Sequence, residues 1–331
     1  MMFFLEKKDL PELLRRASAF FEIIAPVLVN EEPQLVSWRG EDLALRAPNP
    51  LLPPTRLFLP PRETLFTYLQ ESGLYTFQVP QVKERLIVGV RPCDLRALSL
   101  LDRIMLSEPA DELYSKRRRS TAIIALNCTE PSEGCFCAQM GAGPEADEGF
   151  DLLLTDLGDQ YLLETGSPEG IMLTRVSEEL LESGTDAERV LMRKMDLMRE
   201  IRDRIMNARP WLSHDRMRSR LREINWKSLS KECISCGGCS FVCPTCHCFT
   251  IADLGLPDGE RIRCADSCIL SGFHRMASGA NPKANPEDRL LSWYMEKLEY
   301  MLSRAGISGC VGCGRCGRVC FSGLHKTDLF R

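Results

Sequence analysis

The stretch Cys233-Ile234-Ser235-Cys236-Gly237-Gly238-Cys239-Ser240-Phe241-Val242-Cys243-Pro244 spaces its cysteines as C-x2-C-x2-C-x3-C and ends on proline. The pattern recurs as Cys310-x2-Cys313-x2-Cys316-x3-Cys320, with Phe321 where the proline would stand. Cysteines at three-residue intervals on a tight loop converge on one face of a cubane, and this run ligates 4Fe–4S clusters; in two-cluster proteins the fourth cysteine serves the other cluster. The spacing therefore predicts one cluster on Cys233, Cys236, Cys239 and Cys320, and a second on Cys310, Cys313, Cys316 and Cys243. Gly237, Gly238, Gly312, Gly314 and Gly317 let backbone N–H groups approach the sulfurs. A pair of zinc knuckles is the competing reading, but zinc sites use separated C-x2-C pairs rather than four cysteines in one run.

Working outward, the linker between the runs holds a helical pattern from Asn285 or Pro286 to Arg304, with Leu290, Leu291, Tyr294, Leu298 and Met301 on one face. That predicts an α-helical two-cluster ferredoxin-like domain over residues 231–331. The string Gly312-x-Gly314-x-x-Gly317 matches a dinucleotide fingerprint, but no strand precedes it and no acidic residue follows at the required distance. No flavin or NAD(P) site is expected in this chain.

Residues 176–230 read as a helical connector. Thr185-Asp186-Ala187-Glu188 fits a capping box, and Leu191, Met195, Met198, Ile201 and Ile205 form an apolar stripe that stops before Pro210. The methionines read as core packing, not as ligands. Residues 1–175 read as an α/β domain. A helix is expected from Asp9 to Glu22, and an ordered loop or extended crossover over Pro48–Pro61. Arg85–Val90 and Thr121–Leu126 read as buried strands around a helix faced by Leu95, Leu98, Leu101, Ile104 and Met105, which makes a βαβ unit. Asp151–Thr155 and Tyr161–Glu164 read as a later hairpin. The basic run Lys116-Arg117-Arg118-Arg119 reads as a solvated loop, with a docking patch as the alternative.

Length, charge and composition limit what such a chain can be. At 331 residues it exceeds the usual size of one core, and 44% hydrophobic with 27% charged residues argues against a disordered or fibrous chain. A net charge of −4 argues against a broad surface for nucleic acid. No apolar run reaches the ~18–20 residues that cross a bilayer. The N-terminus Met1-Met2-Phe3-Phe4-Leu5-Glu6-Lys7-Lys8 lacks the order of a secretory signal, so a cytoplasmic location is expected. Sixteen cysteines in a large chain without an export signal favour thiolate–metal chemistry over disulfides.

Eight cysteines lie outside the two runs. Cys93 and Cys128 each follow a predicted strand, which puts them at one carboxyl edge of the sheet, with Cys135 and Cys137 in the next loop. Four thiolates there predict a third cluster or another metal; buried, inert cysteines are the alternative. Cys246, Cys248, Cys264 and Cys268 make a fourth set of four, either a further cluster or structural cysteines. His214, His247, His274 and His325 show no pairing at ligand spacing.

These residues carry a family resemblance. Pro61-Arg62-Glu63-Thr64-Leu65-Phe66, Arg91-Pro92-Cys93-Asp94, Cys135-Phe136-Cys137, Cys243-Pro244-Thr245-Cys246, Asp266-Ser267-Cys268 and Cys310-Val311-Gly312-Cys313-Gly314-Arg315-Cys316 occur in that order. Together they resemble the iron–sulfur β-subunit of soluble NiFe hydrogenases (sulfhydrogenases) and its iron–sulfur counterpart in anaerobic sulfite reductase. The resemblance implies an electron-transfer protein beside an FAD- and NAD(P)-binding flavoprotein. Its catalytic partner would be a hydrogenase, a sulfite reductase or a heterodisulfide-reductase-type subunit. Phe321, Cys264 and the short tail after Cys320 depart from the pattern.

The leading reading is thus an electron relay in an anaerobic multi-subunit complex, a component of an oxidoreductase rather than a stand-alone catalyst. The alternative is a cluster-bearing reductase that itself binds a sulfur or disulfide substrate; no acid–base pair or nucleophile constellation supports it. A cluster-based regulator of transcription would need a basic DNA-binding element, and none is found.

Overall fold

The computed structural model describes residues 2–183, 187–324 and 327–331. The first part of the chain runs β1 (Met2–Glu6), α1 (Leu10–Ala17), β2 (Glu22–Val29), β3 (Glu32–Ser37), β4 (Arg62–Glu71) and β5 (Leu74–Gln78). It continues through β6 (Arg85–Val90), α2 (Pro92–Met105), α3 (Glu112–Arg119), β7 (Thr121–Leu126), β8 (Leu152–Asp156) and β9 (Gln160–Thr165). Then come α4 (Pro168–Val176), β10 (Leu181–Ser183), α5 (Ala187–Ala208), α6 (His214–Arg220), α7 (Trp226–Leu229) and α8 (Gly238–Phe241). The last elements are β11 (Phe249–Leu254), β12 (Gly259–Ala265), α9 (Pro286–Met295), α10 (Met301–Ala305) and α11 (Arg315–Arg318), with one π-helical segment, Glu296–Tyr300, joining α9 to α10.

Strand alternation builds the main core. Ala122, Ile124 and Leu126 of β7 face α1 and α4, where Leu10, Leu13, Leu14 and Leu173 cover them. Ile123 and Ala125 face the other way, onto Leu95, Leu98 and Leu101 of α2 and Tyr114 of α3. Both faces are therefore apolar, as buried parallel strands require. The eight strands lie in the order β10-β1-β9-β8-β7-β6-β2-β3, with β2, β6, β7 and β8 mutually parallel and antiparallel strands at each side. The β6–α2–β7 unit and the β8–β9 hairpin stand where the sequence pattern placed them.

Three expectations need correction. The first helix stops at Ala17 and not at Glu22. Glu22-Ile23-Ile24 pairs with Arg85-Leu86-Ile87 instead, because the β-branched isoleucines suit a strand between two covered faces. The run Lys116–Arg119 is no solvated loop: it ends α3, where Arg118 pairs with Asp102 at 2.9 Å and Arg117 with Glu63 at 2.5 Å. Thirdly, the cysteine-rich part is not purely helical. Its hairpin β11–β12 joins β4–β5 in a second, antiparallel sheet of order β11-β12-β4-β5. A short, half-exposed alternation such as Phe249-Thr250-Ile251 carries too little pattern to be read as a strand on its own.

The connector stripe is buried only in part. Met198, Ile201 and Ile205 are buried, whereas Leu191 and Met195 are 37% and 57% exposed. The exposed half of α5 is held by Lys194, which pairs with Glu164 at 2.7 Å and Glu145 at 3.1 Å. The capping box at Thr185–Glu188 falls mainly outside the described residues.

One buried charge network ties the second sheet to α3. Arg263 of β12, 4% exposed, pairs with Glu63 of β4 at 2.5 Å and with Asp111 at the start of α3. Removing one partner of a buried pair leaves the other charge uncompensated, at about 3–5 kcal/mol. Arg263→Ala is expected to lose stability of that order, read as a shift of the denaturant midpoint at unchanged slope.

Candidate metal centres

The carboxyl ends of β6 and β7 lie side by side because the strands are parallel and in register. Pro92 opens α2 and puts Cys93 in its first turn, while Cys128 lies just past β7. Cys93, Cys128, Cys135 and Cys137 line one cavity, together with Asn49, Arg91 and Cys313. The four thiols singled out for a third cluster are thus brought together. Cys135 Sγ and Cys137 Sγ are 3.5 Å apart. Burial pushes the Cys93 and Cys128 thiols up, Cys93 further through the Asp94 charge, so in the absence of a cation the protonated forms are favoured. Cys135 is drawn down by its contact with Cys137, which is pushed up in turn.

The second ferredoxin-type run is seated directly on this site. The backbone N–H of Phe136 donates to Gly312 O at 2.8 Å. Gly312 has φ +65°, and a Cβ there would lie 2.5 Å from Phe136 O; at Gly314, φ +76°, it would lie 3.0 Å from the Gly134 backbone. Only glycine permits both the left-handed backbone and this approach. Arg315 Nη1 and Nη2 donate to the Asp94 carboxylate at 2.6 and 2.8 Å, and Arg315 Nε to Pro50 O at 2.7 Å. Asp94 and Arg315 side chains are 2% and 0% exposed. Arg318 Nη1 donates to Asn49 O at 2.8 Å, so the proline-rich segment serves as the outer wall of the junction.

The remaining thiols form two neighbourhoods. Cys233, Cys239, Cys316 and Cys320 surround Tyr294, whose phenol is pushed up by burial and then by those thiolates. Cys236 is exposed beside them, and α8 packs on α11. Around the second neighbourhood, Cys243 is drawn down by Cys246, and Cys248 is lowered to about 7 by Cys268. Burial raises Cys313 to about 11, with Cys243 among the charges that act on it. Cys246, Cys248 and Cys268 are therefore neighbours, and Cys264 lies on β12, opposite Thr250 and Arg62. Among the histidines, His247 Nδ1 lies 3.1 Å from Thr245 O and His274 Nε2 lies 3.0 Å from Cys268 O; His325 is outside the described residues.

The donor set fits iron–sulfur clusters. Thiolates are the soft ligands such clusters take. Among the described residues, no three His, Cys, Asp or Glu side chains gather closely enough to share a single ion.

Sequence reasoning gave Asp94, Arg315 and Tyr294 no role at the thiol sets and did not single out Lys297. The first two were legible as opposite charges set next to Cys93 and Cys316. Lys297, 1% exposed, sits on the apolar stripe between Tyr294 and Met301, where a lone lysine is a signal. Burial acts to lower its pKa, but the Cys243 and Cys246 thiolates outweigh it, and Lys297 stays a cation.

Arg315→Met should leave Asp94 buried and uncompensated, at about 3–5 kcal/mol, whereas adding Asp94→Asn should return much of that loss. Denaturant titration of the single and double variants gives the coupling; a double variant as unstable as the sum of the singles would contradict it.

Comparison with known proteins agrees with this chemistry. Residues 232–324 match the family described as 4Fe-4S dicluster domain. Along 98% of its length the chain is 28% identical to sulfhydrogenase 2 subunit beta of Pyrococcus furiosus, of which it covers 96%. No described helix is long and apolar enough to cross a membrane. The chain is an iron–sulfur protein with a 4Fe–4S dicluster domain, similar over nearly all its length to the β-subunit of a sulfhydrogenase.

Proposed function

We propose that the chain relays single electrons through three 4Fe–4S clusters, from a flavoprotein that binds NAD(P) to the catalytic subunit of a hydrogenase-type complex or in the reverse direction. One observation carries the proposal: the loop from Cys310 to Cys316 touches every thiol set. Cys313 lines the cavity of Cys93, Cys128, Cys135 and Cys137, and Cys316 sits with Cys233, Cys239 and Cys320 around Tyr294. A loop so placed supports a linear order, from the N-terminal set through the set of Cys243, Cys310, Cys313 and Cys316 to the set of Cys233, Cys236, Cys239 and Cys320.

In this reading the thiolates hold iron, the glycines bring N–H groups to sulfur, and Asp94–Arg315 keeps the two ends of the junction in register. The surface end is at Cys236, which is exposed, as are Ile234 two residues before it and Phe321 after Cys320, 65% and 89% exposed. An apolar rim beside an exposed thiol suits the docking of a partner protein. The edge near Cys135 is the other docking face. This reading gives Cys246, Cys248, Cys264 and Cys268 no cluster. The domains would be 1–175, 176–230 and 231–331, with β11–β12 reaching across to β4–β5. A cytoplasmic location belongs to the same proposal.

NAD(P)H delivers two electrons as a hydride and a cluster takes one, so a flavin has to stand between them. The resemblance puts that flavin on the neighbouring flavoprotein, and the sulfhydrogenase name of the relative supports a hydrogenase as the complex.

Iron analysis of anaerobically loaded protein should give about 12 Fe per chain, four for each cubane, and Cys93→Ala should lower it to about 8. A wild-type value near 8 that Cys93→Ala leaves unchanged would remove the N-terminal cluster. Stopped-flow bleaching of the cluster absorbance tests the relay itself. NADH should not bleach the lone, flavin-free chain, and adding the flavoprotein should restore bleaching; rapid bleaching without it would sink the assignment.

A further inference from the structure

The helix that runs from α9 to α10 is interrupted by its π-helical segment Glu296–Tyr300. Such an insertion re-aims side chains and is frequent at functional sites. Here the segment carries Lys297. The Lys297 ammonium donates to Thr245 Oγ1 at 2.7 Å, and that hydroxyl donates to Gly309 O at 2.6 Å while lying 3.2 Å from Cys243 Sγ. On the other side, Ser308 Oγ donates to Lys297 O at 3.2 Å and accepts from Cys310 N at 3.3 Å. Lys297 thus stands between the two loops that supply Cys243 and Cys310.

A buried ammonium needs a counter-charge. Lys297 is 1% exposed, and among the described residues no ion pair joins it to a carboxylate. The negative groups next to it are cysteine sulfurs. Four thiolates on a cubane make an anion, and reduction by one electron adds a further negative charge. A fixed cation at that position therefore favours the reduced state more than the oxidised one, since net charge, hydrogen bonds and exposure set cluster potentials. The N-terminal set has a cation of its own in Arg91, which is buried, lines that cavity and donates to the Leu45 and Ala47 carbonyls. The Asp94 carboxylate cancels Arg315 at the N-terminal set, and exposed Cys236 leaves the outer set to the screening of water.

We propose that Lys297 is a positioning residue that raises the potential of the cluster on Cys243, Cys310, Cys313 and Cys316. The inference rests on the relay reading above. One electron enters from a neighbouring centre, no bond forms or breaks, and the ammonium keeps its proton.

The test is an EPR-monitored redox titration of the full, anaerobically loaded chain, with dithionite as reductant and iron content measured in parallel. The middle cluster is identified as the signal lost in Cys310→Ala. In Lys297→Met its reduced-to-oxidised ratio at a fixed potential should fall at least tenfold, about 59 mV for a one-electron couple. The other signals should stay in place, and Lys297→Arg should titrate close to wild type. Full loading with unchanged potentials in Lys297→Met would overturn the inference and leave the relay standing. Loss of iron in Lys297→Met that Lys297→Arg restores would support the need for the cation; loss in both would count against it. If Cys310→Ala removes no iron from the wild-type background, the relay reading itself fails.

Discussion

The pairing of Asp94 with Arg315 is the constraint on which the rest of the arrangement depends. The carboxylate follows Cys93 in the first turn of α2; the guanidinium precedes Cys316 in the second cysteine run. Both are buried, so neither charge is tolerable without the other. The bidentate geometry fixes orientation as well as distance. It forces a loop 221 residues further along the chain onto the carboxyl edge of the parallel sheet. Gly312 and Gly314 then become necessary, because no side chain fits where those backbones meet.

Much of this was legible in the sequence, where the signal was periodic or covalent in origin. The strands Arg85–Val90 and Thr121–Leu126 announced themselves by unbroken apolar runs, and the helix between them by its stripe. The thiol set Cys93, Cys128, Cys135 and Cys137 followed from one step of topology, since parallel strands end at the same edge. What was not legible came from partners far apart in the chain. Nothing in Gly259–Ala265 says that its hydrogen bonds go to Arg62–Tyr68, and the basic run at the end of α3 looks solvated until Glu63 and Asp102 are placed against it. Long-range electrostatics has no period to read.

Two kinds of buried charge meet at the thiol sets, and they do different work. Arg315 is neutralised by Asp94 and so contributes position with little net field. Lys297 is held by a hydroxyl and carbonyl framework that carries no formal charge, so its field falls on the sulfurs of Cys243 and Cys246. The same distinction explains why the first lies at a junction between segments and the second inside one helix. A docking contact has to be specific in direction, which a bidentate pair supplies. A field needs only a fixed point charge, which an ammonium supplies.

The thiols also bear on how this state comes to be populated. Burial pushes Cys93, Cys128 and Cys313 towards the protonated form, and the protons have to leave before iron is held. Metal binding therefore carries a proton release with it, and its free energy becomes part of the free energy of folding. The core of the α/β part does not depend on this, because Ile123, Ile124 and their neighbours are covered by helices on both faces. The cysteine-rich part does: its apolar cluster of Leu290, Trp293, Tyr294 and Leu298 is interleaved with Cys233, Cys239, Cys310 and Cys316. In that part of the chain the cysteines are packed into the core itself. Lys297 is buried in the same part, balanced by the sulfur of Cys243 and held by the Thr245 hydroxyl.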